Sequence, residues 1–186
     1  YDLAIDRHDP GLDAARVDAL FTRLRAGLVP LARRIDAQVA ARRAAGERPP
    51  ALRGFDVEAQ RRLVREVTER LGFDYARGRL DVSLHPFCEG SGDDVRLTTR
   101  FNPDEPLDAL YSSIHEAGHG LYEQGLPRAH AGTALGVAAG MAVHESQSRL
   151  WENQVARSRA FWRWLEPAFR AAFPGPLSGV SGEQLH

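Results

Sequence analysis

The 186-residue chain has one cysteine, Cys88, and no lysine. A single thiol leaves no internal disulfide and no cysteine-built zinc site. All 24 basic residues are arginine, and with so many alanines this reads as a coding bias towards G and C. No sign of charge dominates: 24 basic residues face 25 acidic ones for a net charge of −1. The chain therefore lacks the field that draws a protein to nucleic acid or to an acidic membrane surface. No apolar run reaches the ~20 residues of a membrane span. Internal repeats, low-complexity tracts and a glycine-rich phosphate loop are missing too. The opening residues carry no signal-peptide pattern, so the expected setting is cytoplasmic. The proportions that remain, 43% hydrophobic and 26% charged, are those of a globular protein, and the length suits a single domain over 1–186.

Helical spacing governs most of the chain. Residues 12–44 have apolar positions at helical intervals, and Pro30 is expected to kink one helix or separate two. "GERPPALRG" (46–54) is a turn-rich break. Asp56 reads as the N-cap of a helix that Gly72 ends, with Val57, Leu63, Val64, Val67 and Leu71 as its apolar stripe. "RLDVSLH" (79–85) and "DVRLTTRF" (94–101) alternate instead, which predicts an antiparallel hairpin closed by the long loop "PFCEGSGD". Helices are then expected over about 107–124 and 136–172, the second with a break near Pro167 and a stop at Pro174. The fold class is mainly α with a small antiparallel β element. The edges look cut: the chain begins at Tyr1 and ends on "SGEQLH" after a proline–glycine stretch, as a shortened or fragmentary chain would.

The chemistry concentrates in "SSIHEAGHGLYEQG" (112–125). His115 and His119 are four residues apart, so both imidazoles leave one helix face about 6 Å apart. That suits two ligands of a zinc ion at ~2.1 Å each. Glu116, rotated by about 100°, can reach a water at the metal without binding the metal. Gly118 and Gly120 each cost a helix about 1 kcal/mol relative to alanine. A solvated helix would not want them, whereas a helix that admits another backbone or a substrate strand beside the metal would. A catalytic zinc wants three protein ligands and an open position. Glu145, 26 residues after His119 on the next expected helix, is a candidate third ligand, with His144, Glu152 and Arg149 competing or supporting. Glu145 and Arg149 also have the spacing of an ordinary surface i,i+4 ion pair.

These segments, in order "HPF" (85–87), "DVRLT" (94–98), "HEAGH" (115–119) and "HESQSRLWEN" (144–153), resemble the carboxypeptidase Taq family of zinc metallocarboxypeptidases. "LYEQGLP" and "RSRAFW" are similar to that family as well. The resemblance implies a neurolysin-like metallopeptidase core with a small sheet beside the metal helix. It implies one zinc per chain on His115, His119 and Glu145, with Glu116 as general base. His85, Asp94, Arg96 and Thr98 match the two sheet-side motifs; His85, Arg96 and Thr98, with His144, are expected to bind the peptide substrate. Homodimers are implied as well. The family is longer on both sides and has two further downstream motifs, one with Arg before an Ala-Asp pair and one with Gln-Asp before His-Trp. Neither is found in this chain. The expectation is thus a zinc metallocarboxypeptidase, with a non-hydrolytic zinc-binding module or fragment as the alternative.

Overall fold

The computed structural model describes residues 1–48, 50 and 52–185. The contacts form two compact units, Tyr1–Pro50 and Ala51–His186. The first holds α1 (Asp2–His8) and α2 (Ala14–Ala44). The Asp13 side chain accepts from the Arg16 N–H and starts α2, which then runs unbroken through Pro30. Proline removes one backbone bond, but more than three turns on either side carry the helix across the gap. Neither helix contains a buried residue, and Phe21, Leu24, Leu28, Leu31 and Ile35 form an exposed apolar row along α2.

The second unit opens with α3 (Val57–Leu71), capped as its sequence predicts. The Asp56 side chain accepts from the Ala59 N–H at 2.7 Å, and Gly72 closes the helix in the left-handed region. Leu63, Val64 and Val67 are buried, with Leu71 packed at the edge of the same core.

The sheet departs from the expected hairpin. β1 (Gly78–Val82), β2 (Cys88–Ser91) and β3 (Asp94–Thr99) lie in the order β1-β3-β2. β1 runs parallel to β3, and the antiparallel partner of β3 is β2, drawn from the segment read as loop. The small β element is therefore mixed. The turn between Ser91 and Asp94 has two residues, and Gly92 at φ 60 supplies the positive φ that such a tight connection needs. Val95 and Leu97 point to one face of β3, where they pack with Phe73 and with Ala117 of α4 (Pro106–Gln124). Thr99, on the same face, hydrogen-bonds the Ser112 hydroxyl of α4 at 3.0 Å.

The expected helix over 136–172 is three pieces. α5 (Met141–Arg149) passes into a π-helical segment, Leu150–Val155, and the chain turns before α6 (Arg159–Ala172). The break falls at Ser158, whose hydroxyl caps α6, and Pro167 is tolerated inside it. Phe161, Trp162, Leu165 and Phe169 of α6 enter the main core with Phe55, Leu110 and Ile114, so the aromatic run is core apart from the partly exposed Trp164. Trp162 donates its indole N–H to the Tyr111 hydroxyl at 3.0 Å. No helix of the described residues is long and apolar enough to cross a membrane.

The two helix glycines have separate partners. A methyl group on Gly118 would lie 2.6 Å from the Cα of Ser148 and 2.8 Å from the Gln147 carbonyl oxygen, both backbone atoms of α5. One on Gly120 would lie 2.7 Å from the Phe73 ring and 3.0 Å from Leu97. The backbone that approaches α4 is thus α5. Gly118→Ala is expected to force the two helices apart and cost ~1–3 kcal/mol, the range for overpacking a filled site. Urea unfolding of the variant would measure it, and an unchanged midpoint would mean that the helices are free to separate.

Candidate metal centre

α4 supplies His115, Glu116, His119 and Glu123 from successive turns, and α5 crosses it at Gly118 with His144 and Glu145. The crossing brings three donor atoms together. The Glu145 Oε2 lies 3.6 Å from the His115 Nε2 and 3.2 Å from the His119 Nε2. One ligand atom from each of the three residues falls within 4.8 Å of the others. Two donors on a tetrahedral ion at ~2.1 Å would be about 3.4 Å apart, so the spacing and the donor types fit a metal ion. The other Glu145 oxygen accepts from Arg149 Nε at 2.8 Å, so the i,i+4 pair forms and leaves Oε2 for the imidazoles and the Ser148 hydroxyl. Burial raises the Glu145 pKa, but the bonds from Ser148 and Arg149 and the nearby His115 outweigh it and hold the carboxyl below its ordinary value.

Each imidazole is held by its other nitrogen. His115 Nδ1 lies 3.0 Å from Glu152 Oε2, and Glu152 in the π-helical segment also accepts from Arg149 at 3.1 Å and Arg157 at 2.9 Å. His119 Nδ1 lies 2.6 Å from His144 Nδ1, and His144 Nε2 lies 2.8 Å from Glu123 Oε1. Burial, then the neighbouring His144 and His115, push the His119 pKa down to about 4, so this ring is neutral near pH 7.

Glu116 is buried beside the group, with 6% of its surface exposed. Burial first, then the charges of Glu145 and Glu152, raise its pKa to about 7. Cys88 of β2 lies close by; burial, with Glu116 and Glu123, pushes its thiol up to about 12, so it stays protonated.

The sheet-side residues are placed elsewhere. Side chains alternate along a strand, and Val95, Leu97 and Thr99 take the face towards α4. Arg96 and Thr98 therefore point to the opposite face of β3 and are not brought to the donor group. Arg96 is closed in a two-bond pair with Asp94 at 3.0 and 2.8 Å, and the Thr98 hydroxyl bonds the Phe87 N–H and Ser83. His85 is exposed between β1 and β2. His144 does join the group, bound to a candidate ligand. Glu123 escapes the sequence reading, although its spacing from His119, a second i,i+4 step on one helix face, is a usable signal.

The raised Glu116 pKa gives a pH-dependent prediction for the metal-free protein. The folded state holds this proton more tightly than the unfolded chain does, with a pKa of about 7 against 4.5. Ionisation therefore destabilises the fold progressively as pH rises from 4.5 through 7. Glu116→Gln should raise the unfolding temperature in chelator at pH 8 and leave it nearly unchanged at pH 4. An equal gain at both pH values would mean that no buried ionisable carboxyl is being removed.

Residues 1–186 match the model of the carboxypeptidase Taq (M32) metallopeptidases throughout. The chain is 43% identical over 191 residues to thermostable carboxypeptidase 1 of Thermus thermophilus, covering 100% of itself and 36% of that protein. It is 34% identical to carboxypeptidase 1 of Bacillus subtilis, over 97% of itself and 36% of that relative. The crystal structure of a carboxypeptidase of the same family from Deinococcus radiodurans superposes with a TM-score of 0.89 at 47% identity, over 99% of this chain and 36% of that one. The chain thus spans little more than a third of the relatives it matches. With the match running from the first residue to the last, the chain belongs to the carboxypeptidase Taq family of metallopeptidases.

Proposed function

We propose that the protein carrying this chain is a zinc metallocarboxypeptidase that removes C-terminal residues from peptides. The observation that carries this reading is the convergence of one ligand atom each from His115, His119 and Glu145 within 4.8 Å of one another, next to the buried carboxyl of Glu116. Two imidazoles and one carboxylate suit zinc, whereas magnesium and calcium take oxygen donors. Three protein donors also leave a fourth position open, as a catalytic site needs.

Zinc, when bound, supplies Lewis acidity to a peptide carbonyl and lowers the pKa of water. Glu116 accepts the proton of the attacking water at its carboxylate and passes it to the leaving amine, so one C–O bond forms as the C–N bond breaks. His115, His119 and Glu145 would hold the ion through unprotonated atoms. Arg149 fixes Glu145 from outside, and Glu152 fixes His115, as partners of metal ligands do. His85, Arg96 and Thr98 take no part in the bond changes; their proposed part is to bind the peptide substrate. The homodimer implied by the family resemblance and the cytoplasmic setting expected from the sequence belong to the same proposal.

The test uses the intact zinc-loaded protein and one peptide in two forms, free acid and C-terminal amide. Release of the last residue from the free acid alone is the expected result. Cleavage of both forms would replace the carboxypeptidase reading with an endopeptidase one, and inactivity with zinc bound would favour a metal-binding module. Glu116→Ala is expected to retain zinc and lose hydrolysis; an active variant would remove Glu116 from the role of base. His119→Ala should lower zinc affinity sharply, and an unchanged metal content would remove it from the ligands.

A further inference from the structure

We infer that His144 is a positioning residue, which with Glu123 locks His119 into the one tautomer that presents Nε2 to a metal. The inference rests on the metal-binding reading of the site. It starts from the direction of the hydrogen bonds. A carboxylate oxygen accepts, and with His144 Nε2 lying 2.8 Å from Glu123 Oε1 the ring nitrogen is the donor of that bond. An uncharged imidazole has one donor and one acceptor nitrogen. With one proton on the His144 ring and that proton on Nε2, Nδ1 is the acceptor, and the bond to His119 Nδ1 at 2.6 Å takes its proton from His119. That leaves the lone pair of His119 on Nε2, the atom 3.2 Å from the Glu145 Oε2. The chain runs Glu123, His144, His119, with each bond dictating the next.

The ring of His144 is held in tilt as well. Tyr122 stands nearly perpendicular to it, with centroids 5.0 Å apart and planes at 87°, and its hydroxyl accepts from the Ala139 N–H at 3.0 Å in the segment before α5. Glu123 and His119 are one turn apart on α4, whereas His144 comes from α5. The relay therefore also ties the ligand helix to the helix that brings Glu145. The opposite ligand has a shorter device, since Glu152 bonds His115 Nδ1 directly.

Partners of this kind change metal affinity by about 10–100-fold. In the intact protein, His144→Phe is expected to weaken zinc binding by about that factor and to alter the visible spectrum of the cobalt-substituted site. His144→Asn, whose Oδ1 can accept from His119 Nδ1, should restore most of the affinity. Imidazole ¹⁵N shifts of the metal-free wild type should identify His119 as the Nδ1–H tautomer, a readout that needs no variant to fold. Wild-type zinc affinity and cobalt spectrum in His144→Phe, with or without a raised KM, would overturn the inference. So would an Nε2–H tautomer at His119. A wild-type protein that binds neither zinc nor cobalt would overturn the metal reading instead, and the tautomer measurement would still judge the relay.

Discussion

Two helix backbones must nearly touch for this site to exist. The donors of α4 and the carboxylate of α5 converge because Gly118 leaves room for the Cα of Ser148 against the helix axis. A side chain at that position would hold α5 away by the width of a methyl group or more, and Glu145 would no longer reach both imidazoles. Gly120 sets the other side of α4, where Phe73 and Leu97 press the helix against β3. The glycines weaken α4 as a helix and strengthen it as a platform, and tertiary packing more than offsets their propensity cost.

Charge is organised around that platform. Four carboxylates, from Glu116, Glu123, Glu145 and Glu152, gather about the two candidate imidazole ligands and His144, with Arg149 and Arg157 as the neighbouring guanidinium groups. Three of the four carboxylates are tied down by bonds from cations or imidazoles, and Glu145 and Glu152 are held below their ordinary pKa. Glu116 is buried with its charged neighbours and has the opposite shift. Environments that push neighbouring carboxyls apart in this way are what the proposed division between metal ligands and a proton-exchanging Glu116 rests on.

The two candidate histidine ligands are oriented by different means to the same end. His115 leans on a carboxylate and His119 on an imidazole backed by a carboxylate, yet both turn Nε2 towards Glu145. Support comes from α4 itself, from α5 and from the π-helical segment, so the two helices that carry the candidate ligands also carry groups that aim them. The sheet has a supporting part: its buried face seats α4, while its outer face keeps the Arg96–Asp94 pair away from the donors.

Local order was legible from the chain alone. The caps at Asp56 and Gly72, the helical face of His115 and His119, and the placing of Glu116 beside them all follow from a period of 3.6 residues, which needs no distant contact. Glu123 lies on that same face and was equally open to deduction. What only the tertiary structure decided depends on which surfaces meet. Segments 79–85 and 94–101 alternate alike, so alternation could not tell that β1 would pair in parallel and that glycine-containing β2 would form the hairpin. Nor could it tell which face of β3 would take Arg96, because inside and outside are assigned by the helix packed on the sheet. The same holds for His144: its residue type suits a ligand, a substrate contact or a support, and the crossing of α5 over Gly118 put it against His119. A helix repeats by its own backbone bonds, whereas a site assembled from two helices depends on how closely they pack.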